Sequence, residues 1–153
     1  MMAIAYGNVY VAQVAMGANN EQAVIAFREA EAYDGPSLIL AYSQCIAHGT
    51  DLRHGMKQAA RAVASGHWPL LRFDPTMRGR DMNPFRLDST RPRISLEEYR
   101  DREVRFKVVA QTNPSEAQRM LEQAQLVADE RYKLYEDLAR RDGSRFLPHW
   151  ENA

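Results

Sequence analysis

Cysteine is the scarcest chemistry in this chain: one thiol, Cys45, in 153 residues. A lone thiol cannot close an internal disulfide, and such sparing use fits a reducing compartment, so a cytoplasmic location is expected. No run approaches the roughly 18 consecutive apolar residues of a membrane helix, and no membrane association is expected. The opening MMAIAYGNVY has neither the basic region nor the long apolar stretch of a secretory signal, so no leader is expected either. Net charge is missing too, because 20 basic residues offset 20 acidic ones. A neutral chain has no phosphate-neutralising footprint, which argues against nucleic acid as a partner. The patterns G-x-G-x-x-G and G-x-x-x-x-G-K-[ST] are absent, leaving Gly7 and Gly17 without a dinucleotide or phosphate-loop role.

What remains is ordinary globular material. Hydrophobic residues make up 45% and charged residues 26%, the balance of a soluble domain with a real core. Asn8 to Met16, NVYVAQVAM, is rich in Val and Tyr and bounded by glycines, which predicts a strand buried on both faces. Asn19 then caps a helix whose apolar stripe is expected at Val24, Phe27 and Ala30. Asp34-Gly35-Pro36 stops it, and Ser37 to Ala41 reads as a second strand without polar alternation. A helix over Leu52 to Ser65, with Met56, Ala59, Ala60 and Val63 on one side, leads to a third candidate strand, Trp68 to Phe73. The order β-α-β-α-β predicts right-handed crossovers in a parallel sheet.

The fold class is therefore α/β: a partial parallel sheet of two or three strands with crossover helices, then a long loop and two carboxyl-terminal helices. Residues 74–94 carry three prolines and no periodicity and are expected to be irregular. Ser95 and Glu98 form a capping box, with Leu96, Tyr99, Phe106 and Val109 following at helical spacing. Asn113 and Pro114 restart the helix, which runs to about Arg141 with Leu121, Ala124, Ala128, Leu134, Tyr135 and Leu138 along it. The expected organisation is 1–73 for the α/β part, 74–94 for the loop, 95–141 for a helical extension and 142–153 for a tail. Two or three apolar parallel strands have two bare edges, so the α/β part reads as the second half of a larger domain.

Cys45 lies in YSQCIAHGTD, just past the carboxyl end of the second strand, and His48, His54 and His67 follow it. A buried free cysteine is the structural reading. The mouth beyond parallel strand ends is where α/β proteins place ligands, which is the functional one. Cys45, His48 and His54, with Asp51, have zinc-ligand chemistry, but the spacing C-x-x-H-x5-H lacks a second pair at a recognised spacing. A Cys45–His48 catalytic pair lacks a third group to orient it. Alone, one thiolate cannot hold a 4Fe–4S cluster, though it can supply one ligand of a shared one. His54 and His67 read as helix-end residues, and Tyr6, Tyr10 and Tyr42 as core or strand-edge aromatics. Arg72, Arg78, Arg80, Arg86, Arg91 and Arg93 read as a solvated or subunit-contacting set before a phosphate-binding one.

The blocks YGNVYVAQVAMGAN, EAEAYDGPSLILAYSQCIAHG, SGHWPLLRFDP and NPFRLDS, in this order, resemble the carboxyl-terminal part of the thiamine-diphosphate-binding domain of pyruvate:ferredoxin (flavodoxin) oxidoreductase. The resemblance runs from Met1 to about Arg141. It implies a segment of an oxidoreductase that decarboxylates pyruvate on thiamine diphosphate and Mg²⁺. Such an enzyme transfers the acetyl group to coenzyme A and passes electrons through 4Fe–4S clusters to ferredoxin or flavodoxin. Cys45, within Tyr42-Ser43-Gln44-Cys45-Ile46, matches the remote fourth ligand of the cluster nearest the thiamine. The other three cysteines and the G-D-G…N segment belong upstream of the matched region. The chain is accordingly expected to need that upstream part as its partner, to be inactive alone, and to work in an oligomer. Two alternatives stand beside this reading: a non-catalytic interaction module or split-gene remnant, and a small zinc-binding domain.

Overall fold

The computed structural model describes residues 1–80 and 82–142, so the expected tail lies outside the described residues beyond Asp142. The side chain of His48 lies outside them as well. The elements run α1 (Met2–Ala5), β1 (Tyr10–Val14), α2 (Asn20–Ala32), β2 (Ser37–Ala41), α3 (Gly55–Ala64), β3 (Leu71–Phe73), β4 (Phe85–Leu87), α4 (Leu96–Arg100), α5 (Val104–Thr112) and α6 (Pro114–Arg140). The sheet order is β2-β1-β3-β4.

The α/β class and the parallel β1–β2 pair match the sequence reading, with Tyr10 opposite Ser37 and Val14 opposite Ala41. The third strand does not continue the parallel set: β3 is antiparallel to β1, with Val11 opposite Phe73. The reason lies at Trp68. Its backbone N–H donates to the Ala62 carbonyl, and its indole N–H donates to the Val14 carbonyl at 3.0 Å. The chain is thus pinned at the carboxyl end of β1 and can only enter β3 running back along it. A parallel crossover would first have had to return to the other end of the sheet. The segment 74–94 also differs from expectation. It holds a 3₁₀ stretch, Pro75–Arg80, and β4, which pairs antiparallel with β3.

Helix caps follow the sequence. Asn19 accepts from the Gln22 N–H, Ser95 from that of Glu98, and Asn113 from that of Glu116. The Ser95 box is only half used, because the Glu98 carboxylate pairs with Arg61 at 3.1 Å. The expected continuous helix after Ser95 is broken at Asp101–Glu103 into α4 and α5.

Two layers of core sandwich β1. On one face, Tyr10, Ala12 and Val14 meet Ala23 and Ala26 of α2. On the other, Val11, Leu71, Phe73 and Phe85 meet Ile4 of α1 and Tyr135 and Leu138 of α6. The apolar stripe of α2 is rotated from its expected place. Small Ala23 and Ala26 face the sheet, whereas Val24 and Phe27 are 59% and 56% exposed. On α3, Ala59 and Ala62 are buried and Met56 is exposed. Along α6, Ala128, Tyr132, Tyr135 and Leu138 are buried, but Leu134 is exposed.

A polar network locks α2 to β3. Arg72 points to the α2 face and forks onto Asp88 with bonds of 2.8 and 2.9 Å, while its third nitrogen donates to Glu29 at 2.7 Å. Tyr10 donates its hydroxyl to Glu29, and Gln22 donates to Asp88. Arg72 is therefore a buried structural ion, not part of a solvated set. Burial, then the Glu29 carboxylate, pushes the Tyr10 hydroxyl far above its usual titration range, so it serves as a permanent donor.

Candidate functional site

Cys45 follows β2 by four residues and opens the 3₁₀ turn Ile46–His48. The short coil between them is tied at both flanks. Before Cys45, the Tyr42 N–H donates to the Val14 carbonyl at 2.9 Å, the same oxygen that receives the Trp68 indole. The Tyr42 ring packs against Trp68, and its hydroxyl meets that of Tyr99 at 2.5 Å. Gln44 donates its amide to the Gly55 carbonyl at 2.7 Å, fixing the coil to the start of α3. After Cys45, the turn closes at Gly49 with φ 73°, and a Cβ there would clash with the Val104 side chain. Glycine is required by backbone and by space. Between these ties the thiol itself is exposed and unbridged.

Behind the coil lies a buried polar chain. Tyr99 donates to Glu103 at 2.9 Å, Gln58 donates to the same carboxylate oxygen at 3.2 Å, and Arg105 covers the other oxygen at 2.7 Å. Burial raises the Tyr99 hydroxyl far above its ordinary value, and the Tyr42 hydrogen bond adds to it; Tyr42 is raised chiefly by burial. His67 stacks on Tyr99 with ring centroids 4.8 Å apart, and burial, then the Arg131 charge, lowers its pKa. No single stretch of sequence shows these groups as a set, because they come from the coil after β2, from α3 and the chain after it, from α4 and the break that follows it, and from α5. Tyr42, Tyr99 and His67 each carry a local signal, as a strand-end aromatic, a helix-face aromatic and a helix-end histidine.

The other candidates fall elsewhere. Asp51 caps the turn Leu52–His54, and its carboxylate binds Arg53 at 2.8 Å and His54 Nδ1 at 3.3 Å. The hydrogen bonds from Arg53 hold that carboxyl well below its usual range. Among the described residues no three His, Cys, Asp or Glu side chains gather as a metal site. The structure thus does not bring Cys45, His54 and Asp51 together as a zinc centre. Asp51 and His54 instead line a cleft of about 680 Å³ with Lys57, Asp101 and Lys107, whose lining does not include Cys45. Of the arginines, Arg91 pairs with Glu136 at 2.8 Å and Arg78 lies over the Phe73 ring. Tyr6 is exposed and Tyr10 is core.

An accessible, unbridged thiol on an anchored coil fits a soft donor for iron, while the surrounding described residues offer no companion ligand. The arrangement is suited to one contribution to a centre completed from elsewhere. Among the described residues, no helix is long and apolar enough to cross a membrane.

No family model matches the chain. Individual relatives do. The chain is 48% identical over 141 residues to a pyruvate-flavodoxin oxidoreductase of Nostoc sp., covering 92% of this chain and 12% of the relative. It is 41% identical over 139 residues to the pyruvate:ferredoxin oxidoreductase of Moorella thermoacetica, covering 91% of this chain and 12% of that enzyme. A mitochondrial pyruvate dehydrogenase [NADP(+)] of Euglena gracilis is 51% identical over 120 residues, 76% of this chain and 6% of the relative.

Proposed function

The chain belongs with the pyruvate-flavodoxin and pyruvate:ferredoxin oxidoreductases, of which it matches one segment, and from that premise we propose that it works inside such an assembly as the carrier of one iron–sulfur ligand, Cys45. The assembly so proposed carries thiamine diphosphate, Mg²⁺ and 4Fe–4S clusters, oxidises pyruvate with coenzyme A as acetyl acceptor, and reduces flavodoxin or ferredoxin in the cytoplasm. By itself the segment is inactive. In this reading residues 1–73 complete the thiamine-diphosphate-binding domain, and 95–141 extend it.

The observation that carries the reading is the anchored coil. Tyr42 and Gln44 hold the chain on either side of Ser43, and Gly49 closes the far side, so the thiol projects from a fixed base. A cluster supplies one-electron transfer when bound. The task of this chain is then to hold one iron at a set position and to keep its own backbone from moving. The Tyr42–Tyr99–Glu103 chain does so without charge at its exposed end. The Glu103 carboxylate is neutralised locally by Arg105 at 2.7 Å. An outlying fourth thiolate also ties the segment to the rest of the enzyme through a covalent metal bond.

The test is co-expression with the remainder of a homologous oxidoreductase, followed by iron analysis and a pyruvate-dependent ferredoxin reduction assay. Cys45→Ala is expected to assemble but to hold less iron and to lose electron transfer. Unchanged iron content and reduction in the assembled Cys45→Ala enzyme would refute the ligand assignment.

A further inference from the structure

The cleft beside α3, about 680 Å³ in volume, is lined from three stretches that lie apart in sequence. Thr50 follows the Cys45 turn, Lys57 and Gln58 belong to α3, and Arg102 and Lys107 come from the α4–α5 break and from α5. A space of this size holds a small organic molecule. Its charges do not balance. Asp51 is already engaged by Arg53 and His54, and Arg61 by Glu98 at 3.1 Å. Lys57, Arg102 and Lys107 form no ion pair among the described residues, and Asp101 is the one carboxylate left in the lining. Three cations therefore face one carboxylate across a single cleft.

A second observation comes from Thr50. It is only 8% exposed and lines the cleft, yet its hydroxyl makes no hydrogen bond among the described residues. Polar groups so deeply placed normally have a partner. Beside it, Gln58 is 3% exposed and spends its amide on the Tyr99 carbonyl and on Glu103. The cleft thus opens onto the buried polar chain behind the Cys45 coil. A free hydroxyl donor with a surplus of cations calls for an oxyanion. The surplus matches the charge of a phosphate monoester, which is close to two at neutral pH. Donors arriving from three stretches of chain also suit its tetrahedral oxygens better than the two coplanar oxygens of a carboxylate.

We propose that this cleft binds a phosphate monoester, its dianionic head held between Thr50 and Lys57 on one side and Arg102 and Lys107 on the other. The organic body lies along Ala60 and the methylene stems of the lysines. Such a ligand fastens α3 to the α4–α5 break and steadies the chain from Gly49 to Asp51 that follows the cysteine. The site stands apart from the iron assignment, since it needs neither a cluster nor any other part of an oxidoreductase.

The test is a titration of the full chain at constant ionic strength and about pH 7.5, followed by amide chemical shifts. The probes are phenyl phosphate, inorganic phosphate, citrate and sodium chloride. Saturable shifts at Thr50, Lys57, Gln58, Arg102 and Lys107 are expected with phenyl phosphate, and weaker binding with inorganic phosphate. The double variant Lys57→Gln, Lys107→Gln is expected to lose at least about tenfold in affinity, and Thr50→Val at least about threefold. Both lysines are exposed, so the double variant should melt like wild type and carries the test even if Thr50→Val unfolds. Shifts that never saturate, that sodium chloride reproduces, or that persist unchanged in the double variant are charge screening and overturn the site. Citrate binding as tightly as phenyl phosphate overturns the phosphate assignment, and inorganic phosphate binding as tightly overturns the organic body. Finally, the chain is assembled with the remainder of a homologous oxidoreductase. Loss of phenyl phosphate binding there, with the same amides protected from exchange, assigns the cleft to a protein segment and overturns the small-molecule occupant.

Discussion

The two ends of the sheet are built from similar residues to opposite purposes. Around β3 and β4, the large side chains on both faces find partners: Phe73 and Phe85 meet Tyr135 and Leu138, and Arg72 is satisfied by Glu29 and Asp88. Around β2, apolar side chains of the same kind stop in solvent, and α2 turns its larger residues, Val24 and Phe27, outward. The difference is one of company, not composition. A chain optimised to stand alone would place those side chains inward and polar ones outside. The closed end packs its apolar side chains within the segment, whereas the open end leaves them in solvent.

Mutations that attack the closed end should cost the most. Arg72→Ala removes a buried cation from two partly buried carboxylates, and a loss of about 3 kcal/mol is expected in chemical denaturation. A loss below about 1 kcal/mol would mean that the network is not the lock between α2 and β3. Tyr99→Phe sits between the two ends, removing the hydroxyl that joins Tyr42 to Glu103. A loss of about 1–3 kcal/mol is expected, together with faster exchange of the Tyr42 and Gln44 amides. Exchange unchanged in that variant would show that the coil does not depend on the chain behind it.

Acidification should produce a smaller effect. Burial and Arg131 hold the His67 pKa below its unfolded value near 6.5, so the fold favours the neutral ring. Its contribution is complete above that unfolded value and is lost as pH falls through the lower folded one. The wild-type melting temperature should therefore drop more than that of His67→Gln between about pH 7.5 and about pH 5. Equal drops would assign the acid sensitivity to other groups. The smallest effect belongs to the open end. Leu38→Lys in the isolated chain should change stability by no more than about 0.5 kcal/mol, since the residue is already in water. A large loss there would make β2 part of the closed core and erase the contrast.

Local features were legible in the sequence wherever a local cause produces them. Asn19, Ser95 and Asn113 cap helices because a side-chain oxygen reaches an N–H two or three residues on, and SLILA is a strand because nothing in it breaks one. Direction and pairing were not legible. WPLLRF is apolar whichever way it runs, and only the Trp68 bonds to Ala62 and Val14 turn it antiparallel. The three residues of β4 are too few to show alternation between Pro84 and Asp88. The rotation of α2 escaped because Ala23 and Ala26 fit the close approach of helix to sheet better than Val24 and Phe27, a choice made by spacing between layers. At the site, Cys45 and its coil were visible as a strand-end block. The Tyr99, Glu103 and Gln58 support was not, since its members are joined across 41 and 45 positions of sequence.

The Tyr42–Tyr99 bond bears on where this chain can be cut. A break at the boundary expected near residue 94 would leave a piece that looks modular on paper, with both parallel strands and Cys45 retained. That piece would lose the partner of Tyr42, the helix over Phe85 and the Arg131 guanidinium that binds the Gly66 and His67 carbonyls. Its second edge would open, and the footing of the cysteine would loosen together with it. For gene fusion, trimming or grafting, the indivisible unit is thus the strands with their trailing helices, at least to Leu138.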